Sequence, residues 1–157
     1  MKYCFKGYDM ITVLAGGTGS VKLVRGLVAQ EKKVNVISNV GDNYWLYGLY
    51  VCPDIDTIIY GLADLLDQDK GWGIKKDTFN FKRQMEVFGE ETWFGVGDRD
   101  AATHLIRTNM LKNGKNLSDI TKWMCEKFAA EELSFLRTGH YRLTNFPEAA
   151  QQIYANH

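Results

Sequence analysis

Apolar and polar positions fall in blocks whose period changes along the chain. Residues 10–15, MITVLA, are a short β-branched run that stops at GGTGS, the signature of a strand ended by a turn. From Ser20 the period becomes helical: Val21, Leu23, Val24, Leu27 and Val28 share a face, and Lys22, Arg25 and Gln30 face water. Lys33 to Ser38, KVNVIS, reads as the next strand. Strand, glycine turn, helix and strand within about thirty residues form a βαβ unit, so the two strands are expected to be parallel. This pattern predicts a Rossmann-like, doubly wound α/β domain with a mainly parallel sheet.

A polar, aromatic loop follows at Asn39–Tyr47, then an extended piece at Gly48–Cys52. Pro53 opens a helix predicted to reach about Leu66, because proline is favoured in a first helical turn. Further helices are expected near Thr78–Phe88 and Asp100–Leu111, and from an N-cap at Ser118 to about Phe128. From Ala129 the pattern weakens, and Asn145-Phe146-Pro147 is expected to open a last short helix. The organisation is therefore read as an extension over 1–9, an α/β domain over 10–128 and a divergent tail over 129–157.

Composition narrows the function classes. At 157 residues the chain is one domain by length, with an ordinary 45% apolar and 24% charged residues. Nineteen basic against nineteen acidic residues give zero formal charge, which argues against a nucleic-acid partner held by phosphate neutralisation. No apolar stretch approaches the ~20 residues of a membrane helix, so no membrane partner is expected. Three scattered cysteines suit a reduced, cytoplasmic setting.

Four constellations carry candidate chemistry. Gly16, Gly17, Thr18 and Gly19 stand between strand and helix, where glycines admit a phosphate and the helix start supplies N–H groups. Thr18 and Ser20 add hydroxyls, and Lys22 could counter a second phosphate charge; the plain alternative is a tight turn built for packing. Asn39, Asp42 and Asn43 lie at the carboxyl end of the second strand, the ligand edge of an open α/β sheet, or form an Asx turn. Asp54 and Asp56 share a first helical turn and could hold magnesium with Asp42, or cap the helix. Asp98, Asp100, His104 and Arg107 follow the glycines of WFGVGDRD, the last three along one helical side. There the alternative is a cap at Asp98 and an Asp100 pair with His104 or Arg107. Tyr44, Trp45, Tyr47 and Tyr50 could stack on a planar ring or fill the surface.

Taken together, GGTGSVKLVRGL (16–27), NVGDNYWLYGLYVCPDIDTIIYGL (39–62), GWGIKKDTF (71–79), WFGVGDRDAATHLIRTNML (93–111) and NGKNLSDITKWMCEKF (113–128) resemble one family. It is the 2-phospho-L-lactate transferases of coenzyme F-420 biosynthesis. The resemblance implies transfer of a phospholactyl or phosphoenolpyruvyl-type group from a guanosine diphosphate conjugate to the deazaflavin precursor Fo. GMP leaves, and magnesium is the cofactor. It further implies substrate binding by Gly16, Gly17, Thr18, Gly19, Lys22, Asn39, Asn43, Asp56, Asp98, Asp100 and Arg107. Asp42 and Asp54 would be the metal ligands, and Asp42 and Asp56 the catalytic carboxylates, with Asp56 near the Fo hydroxyl. The chain departs from the family in two places. Asn43 stands where a second aspartate is common, and the family continues about as long again past Phe128. A truncated, partly competent form with an incomplete sheet is expected, self-associating as a homo-oligomer. The competing reading is a nucleotide-sugar-binding regulatory protein of the same fold. Members of that branch carry a glycine- and serine-rich run where Tyr44-Trp45-Leu46-Tyr47 stands here. A further alternative is a degenerate fragment that binds or assembles without chemistry.

Overall fold

The computed structural model describes residues 10–30 and 32–129, together with the backbone of 141–145. The expected βαβ unit is present: β1 (Met10–Ala15), α1 (Gly17–Ala29) and β2 (Lys33–Ser38), with β1 and β2 parallel from Met10 opposite Lys33 to Ala15 opposite Ser38. A third parallel strand, β5 (Tyr141–Asn145), pairs with the far side of β2, giving the order β1-β2-β5. This corrects the reading of Asn145 as a helix start, since Asn145 ends a strand; Phe146 and Pro147 lie outside the described residues.

One face of the sheet is packed. Val13, Ala15, Val34 and Val36 meet Val21, Val24 and Val28 of α1 and the wall of α2 (Pro53–Leu62), where Ile55, Ile58, Ile59 and Leu62 are buried. Gly61 sets the closeness of the two helices: a Cβ there would lie 2.2 Å from Val21 Cγ1. The opposite face is open, with Leu14 73% and Met10 52% exposed. Parallel sheets are ordinarily covered on both faces; among the described residues, one face of this sheet carries the packing.

Other expectations shift by local chemistry. α1 begins at Gly17, three residues before Ser20, so the glycines form its first turn. Leu23 points to water, 54% exposed. The predicted aromatic loop contains half a hairpin: β3 (Tyr44–Leu46) pairs antiparallel with β4 (Leu49–Val51). Its turn residues Tyr47 and Gly48 both have positive φ, 51° and 74°, which gives the twist a two-residue hairpin needs. α2 ends at Leu62, where Asp64 turns left-handed and Leu65 and Leu66 donate back to the Tyr60 carbonyl. α3 (Asn80–Val87) and α4 (Asp98–Lys112) follow. α5 (Leu117–Phe128) is capped by Asn116, not Ser118, because the Asn116 side-chain oxygen takes the Asp119 N–H at 2.8 Å. Among the described residues no helix is long and apolar enough to cross a membrane.

Candidate active site

Two clusters of polar groups flank the first turn of α2. The first surrounds the glycine turn. Gly17 sits at φ 64°, a conformation costly for any side chain, so glycine is required there to enter α1. Gly16 caps α1 without a side-chain bond, and no acidic residue lies in the helix's first turn. Uncapped N–H groups and the positive end of the dipole are what an anion needs. The hydroxyls near them are used internally: Thr18 donates to the Gly71 carbonyl, and Ser20 both donates to Gly16 O and accepts its N–H, each at 3.0 Å. The backbone, not these side chains, is left for a phosphate.

Asn39, at the carboxyl end of β2, organises the carboxylates. Its oxygen accepts the Gly41 N–H at 2.9 Å, which turns its amide nitrogen outward to donate to Asp42 Oδ2 and Asp54 Oδ2, 2.8 Å each. Asp54 also lies against the turn, its oxygens 3.5 and 3.6 Å from the positions a Cβ would take on Gly16 and Gly17. The structure brings Gly16, Gly17, Asn39, Asp42 and Asp54 together. A cavity of about 500 Å³ opens beside them, lined by Ala15, Gly16, Ser38, Asn39 and Gly41. Asn43 turns toward Tyr50, 3.5 Å from its hydroxyl, and Lys22 is exposed on α1.

The second cluster is buried. A cavity of about 340 Å³ has Asp56, Tyr60, Asp100 and His104 on one side and Trp72, Trp93 and Phe94 on the other. Arg107, wholly buried, clasps Asp56 with both terminal nitrogens, one of them 3.0 Å from Oδ2, and reaches the Tyr50 carbonyl at 3.3 Å. Burial pushes the Asp56 carboxyl above its usual range, against the pull of the Arg107 guanidinium. Burial opposes the charge on Arg107, but Asp56 outweighs it and the guanidinium stays protonated. His104 lies between two carboxylates, Nδ1 3.5 Å from Asp56 and Nε2 3.3 Å from Asp100. The Tyr60 hydroxyl donates to Asp100 Oδ1 at 2.7 Å, and burial keeps that phenol protonated. Burial also raises the Cys52 thiol to about 12.

Residues 11–133 match the family described as 2-phospho-L-lactate transferase CofD. The chain belongs to this family. It is 44% identical over 121 residues to a phosphoenolpyruvate transferase of Streptomyces avermitilis, covering 75% of this chain and 38% of the relative. It is 37% identical over 130 residues to the phosphoenolpyruvate transferase of Mycolicibacterium smegmatis, covering 75% and 40%. The chain thus spans about two fifths of the length of the curated relatives it matches.

Within this chain, two expected ligand-facing residues turn elsewhere. Arg107 is committed to Asp56. Asp98 accepts from Thr78 Oγ1 at 2.5 Å, Asn80 Nδ2 at 2.7 Å and the Phe81 N–H at 2.7 Å, the last of which caps α3 from 17 residues away. Those donors, the Thr78 hydroxyl first, hold its carboxyl down to about 2. Asp77 in turn caps α4 through the N–H groups of Arg99 and Asp100, and Gly97 leaves it room. The residues that sequence reading undervalued are His104, Tyr60 and Trp72. His104 was legible only as a position four after Asp100 and three before Arg107. Trp72 lies over Gly95, where a Cβ would come within 2.6 Å of its ring.

Proposed function

We propose that this chain carries the donor and acceptor ends of a phosphoryl-group transfer. A phosphoenolpyruvyl- or phospholactyl-type group leaves a guanosine diphosphate conjugate and joins the ribityl hydroxyl of Fo, releasing GMP. Family membership and the names of the relatives support the reaction class. The observation that carries the reading is the position of α2's first turn. Asp54 faces the glycine turn, while Pro53, Asp56 and Thr57, within the same turn, line the aromatic cavity. One turn of helix thus stands between an anion-binding helix start and a cavity with walls suited to a planar ring.

Magnesium fits the donor side. Asp42 and Asp54 are hard-oxygen donors already brought together on one amide, and magnesium is commonly held by one or two carboxylates completed by substrate phosphates and water. Asp42 and Asp54 would hold the ion there, and it would offset charge on the phosphoryl oxygens. Gly16 and Gly17 then present backbone N–H groups to the nucleotide-side phosphates, and Asn39 fixes the spacing of the two carboxylates. The sheet face that exposes Met10 and Leu14 supports association with further polypeptide, a second copy included.

Thermal melting tests the reading. GDP or GMP with magnesium is expected to raise Tm, and UDP-N-acetylglucosamine is not; equal stabilisation by the sugar nucleotide would favour the regulatory alternative. Asp54→Ala should leave the unliganded Tm within a degree or two and remove the magnesium dependence of the shift. A magnesium dependence that survives would refute the metal assignment.

A further inference from the structure

We propose that His104 and Asp100 form the seat of one alcohol hydroxyl at the floor of the aromatic cavity, with Asp100 taking that hydroxyl's proton. This rests on the transfer reading above and assigns the acceptor's reacting group to a pair other than Asp56.

The argument starts from Arg107. Arginine has donors and no acceptor. Its Nη1 lies 3.3 Å from His104 Nδ1, and we assign this contact as donation to the Nδ1 lone pair, which puts the imidazole proton on Nε2; Nδ1 also lies 3.5 Å from Asp56 Oδ2. That Nε2 lies 3.3 Å from Asp100 Oδ2 but makes no hydrogen bond to it, and among the described residues it has no hydrogen-bond partner although His104 is 1% exposed. Buried N–H groups are rarely left so. On Asp100, Oδ1 is bonded to Tyr60, and Oδ2 faces His104 Nε2 with no hydrogen bond between them. Both residues line the cavity. A donor and an acceptor side by side match an alcohol, which accepts through its oxygen and donates its one hydrogen.

Asp56 is less suited to this work. Both its oxygens are bonded to Arg107, and proton transfer there would break a buried charge pair. Arg107 and Tyr60 are positioning residues: one selects the His104 tautomer, and the other fixes the Asp100 carboxylate. In the transfer step the hydroxyl proton passes to Asp100 Oδ2 as the hydroxyl oxygen bonds to phosphorus. The bond from phosphorus to the GMP oxygen breaks with its electron pair, and GMP carries away the charge. His104 Nε2–H holds the hydroxyl oxygen in line throughout.

The experiment compares binding of Fo and of its analogue lacking the terminal ribityl hydroxyl, by deazaflavin fluorescence, on the full chain with GDP and magnesium. The intact protein is expected to bind Fo about tenfold to a hundredfold more tightly than the deoxy analogue, as for a site whose buried polar pair would be left unmet. Asp100→Asn presents two donors to the hydroxyl and should bring the ratio within about twofold. His104→Phe supplies a second arm, since it removes the donor and leaves Asp100 in place, and His104→Gln should restore part of the preference through its amide N–H. A preference retained in full by either Asp100→Asn or His104→Phe overturns the assignment, as does equal binding of the two alcohols by the intact protein. If the intact protein binds GDP with magnesium but neither alcohol, the transfer reading itself fails.

Discussion

Asp54 and Asp56 stand two residues apart on one helical turn, and their surroundings could hardly differ more. Asp54 is half-buried, bonded to the Asn39 amide and close to a helix start that offers unpaired N–H groups. Asp56 is 4% exposed and clasped by a buried guanidinium. Successive carboxylates on a helix are rotated about 200° over two residues, from a 3.6-residue turn. One therefore meets the sheet edge and the other the packed side of α4. The more open side can change its ligation cheaply, which suits binding and releasing an ion with a substrate. The buried side cannot, and that suits holding geometry. Identical side chains acquire different work from burial and partner alone.

The sharpest way to break this contrast is to remove Arg107. Arg107→Ala leaves Asp56 charged or protonated in a site built for a pair, and losing one partner of a buried pair costs about 3–5 kcal/mol. Urea unfolding should show that loss, against a change within about 0.5 kcal/mol for Asp54→Ala at an open position. Comparable losses for the two would erase the distinction between the sides. A smaller effect is expected from Gly61→Ala. Its methyl would meet Val21 and force α1 away from α2, costing about 1–3 kcal/mol as overpacking does. Because α1 carries the glycine turn and α4 carries Asp100 and His104, this substitution should weaken nucleotide binding while leaving the ratio of Fo to its deoxy analogue unchanged. If that ratio also collapsed, the two sides would be mechanically one.

The parts legible in the sequence were those decided locally. β1, the glycine turn, α1 and β2 follow from periodicity within one βαβ unit, and Pro53 marks the start of α2. The cluster of Asn39, Asp42 and Asp54 was legible because strand ends and a helix start converge at one sheet edge. The rest depends on partners far along the chain. Nothing near Asp56 announces Arg107, 51 residues on, and nothing near Asp98 announces that its bonds go back to Thr78, Asn80 and Phe81. β5 escaped because its register is set by β2, more than a hundred residues earlier, and not by a strong alternation of its own. Asn116 and Ser118 are both good cap residues, and only the bond to the Asp119 N–H decides between them.

The smallest expected effect concerns acid. Asp56 and Asp98 shift in opposite directions, so they must answer pH oppositely. Asp98 has a folded value of about 2 against an ordinary 3.8, so it binds its proton less readily folded than unfolded. Its contribution to stability is full above about pH 4 and is lost as pH falls toward 2. Asp56 lies above 3.8 when folded, so protonation on the low side of its window favours the folded form, and it cannot supply that acid loss. Asp98→Asn keeps an oxygen for the Phe81 N–H but removes the charge that Thr78, Asn80 and the start of α3 favour. Unfolding followed at pH 5 and again between pH 4 and 2 should therefore show a shallower acid decline in this variant than in the parent. An unchanged decline would mean that other carboxylates carry the acid sensitivity, and that the bonds drawn to Asp98 do not distinguish its charged form from its neutral one.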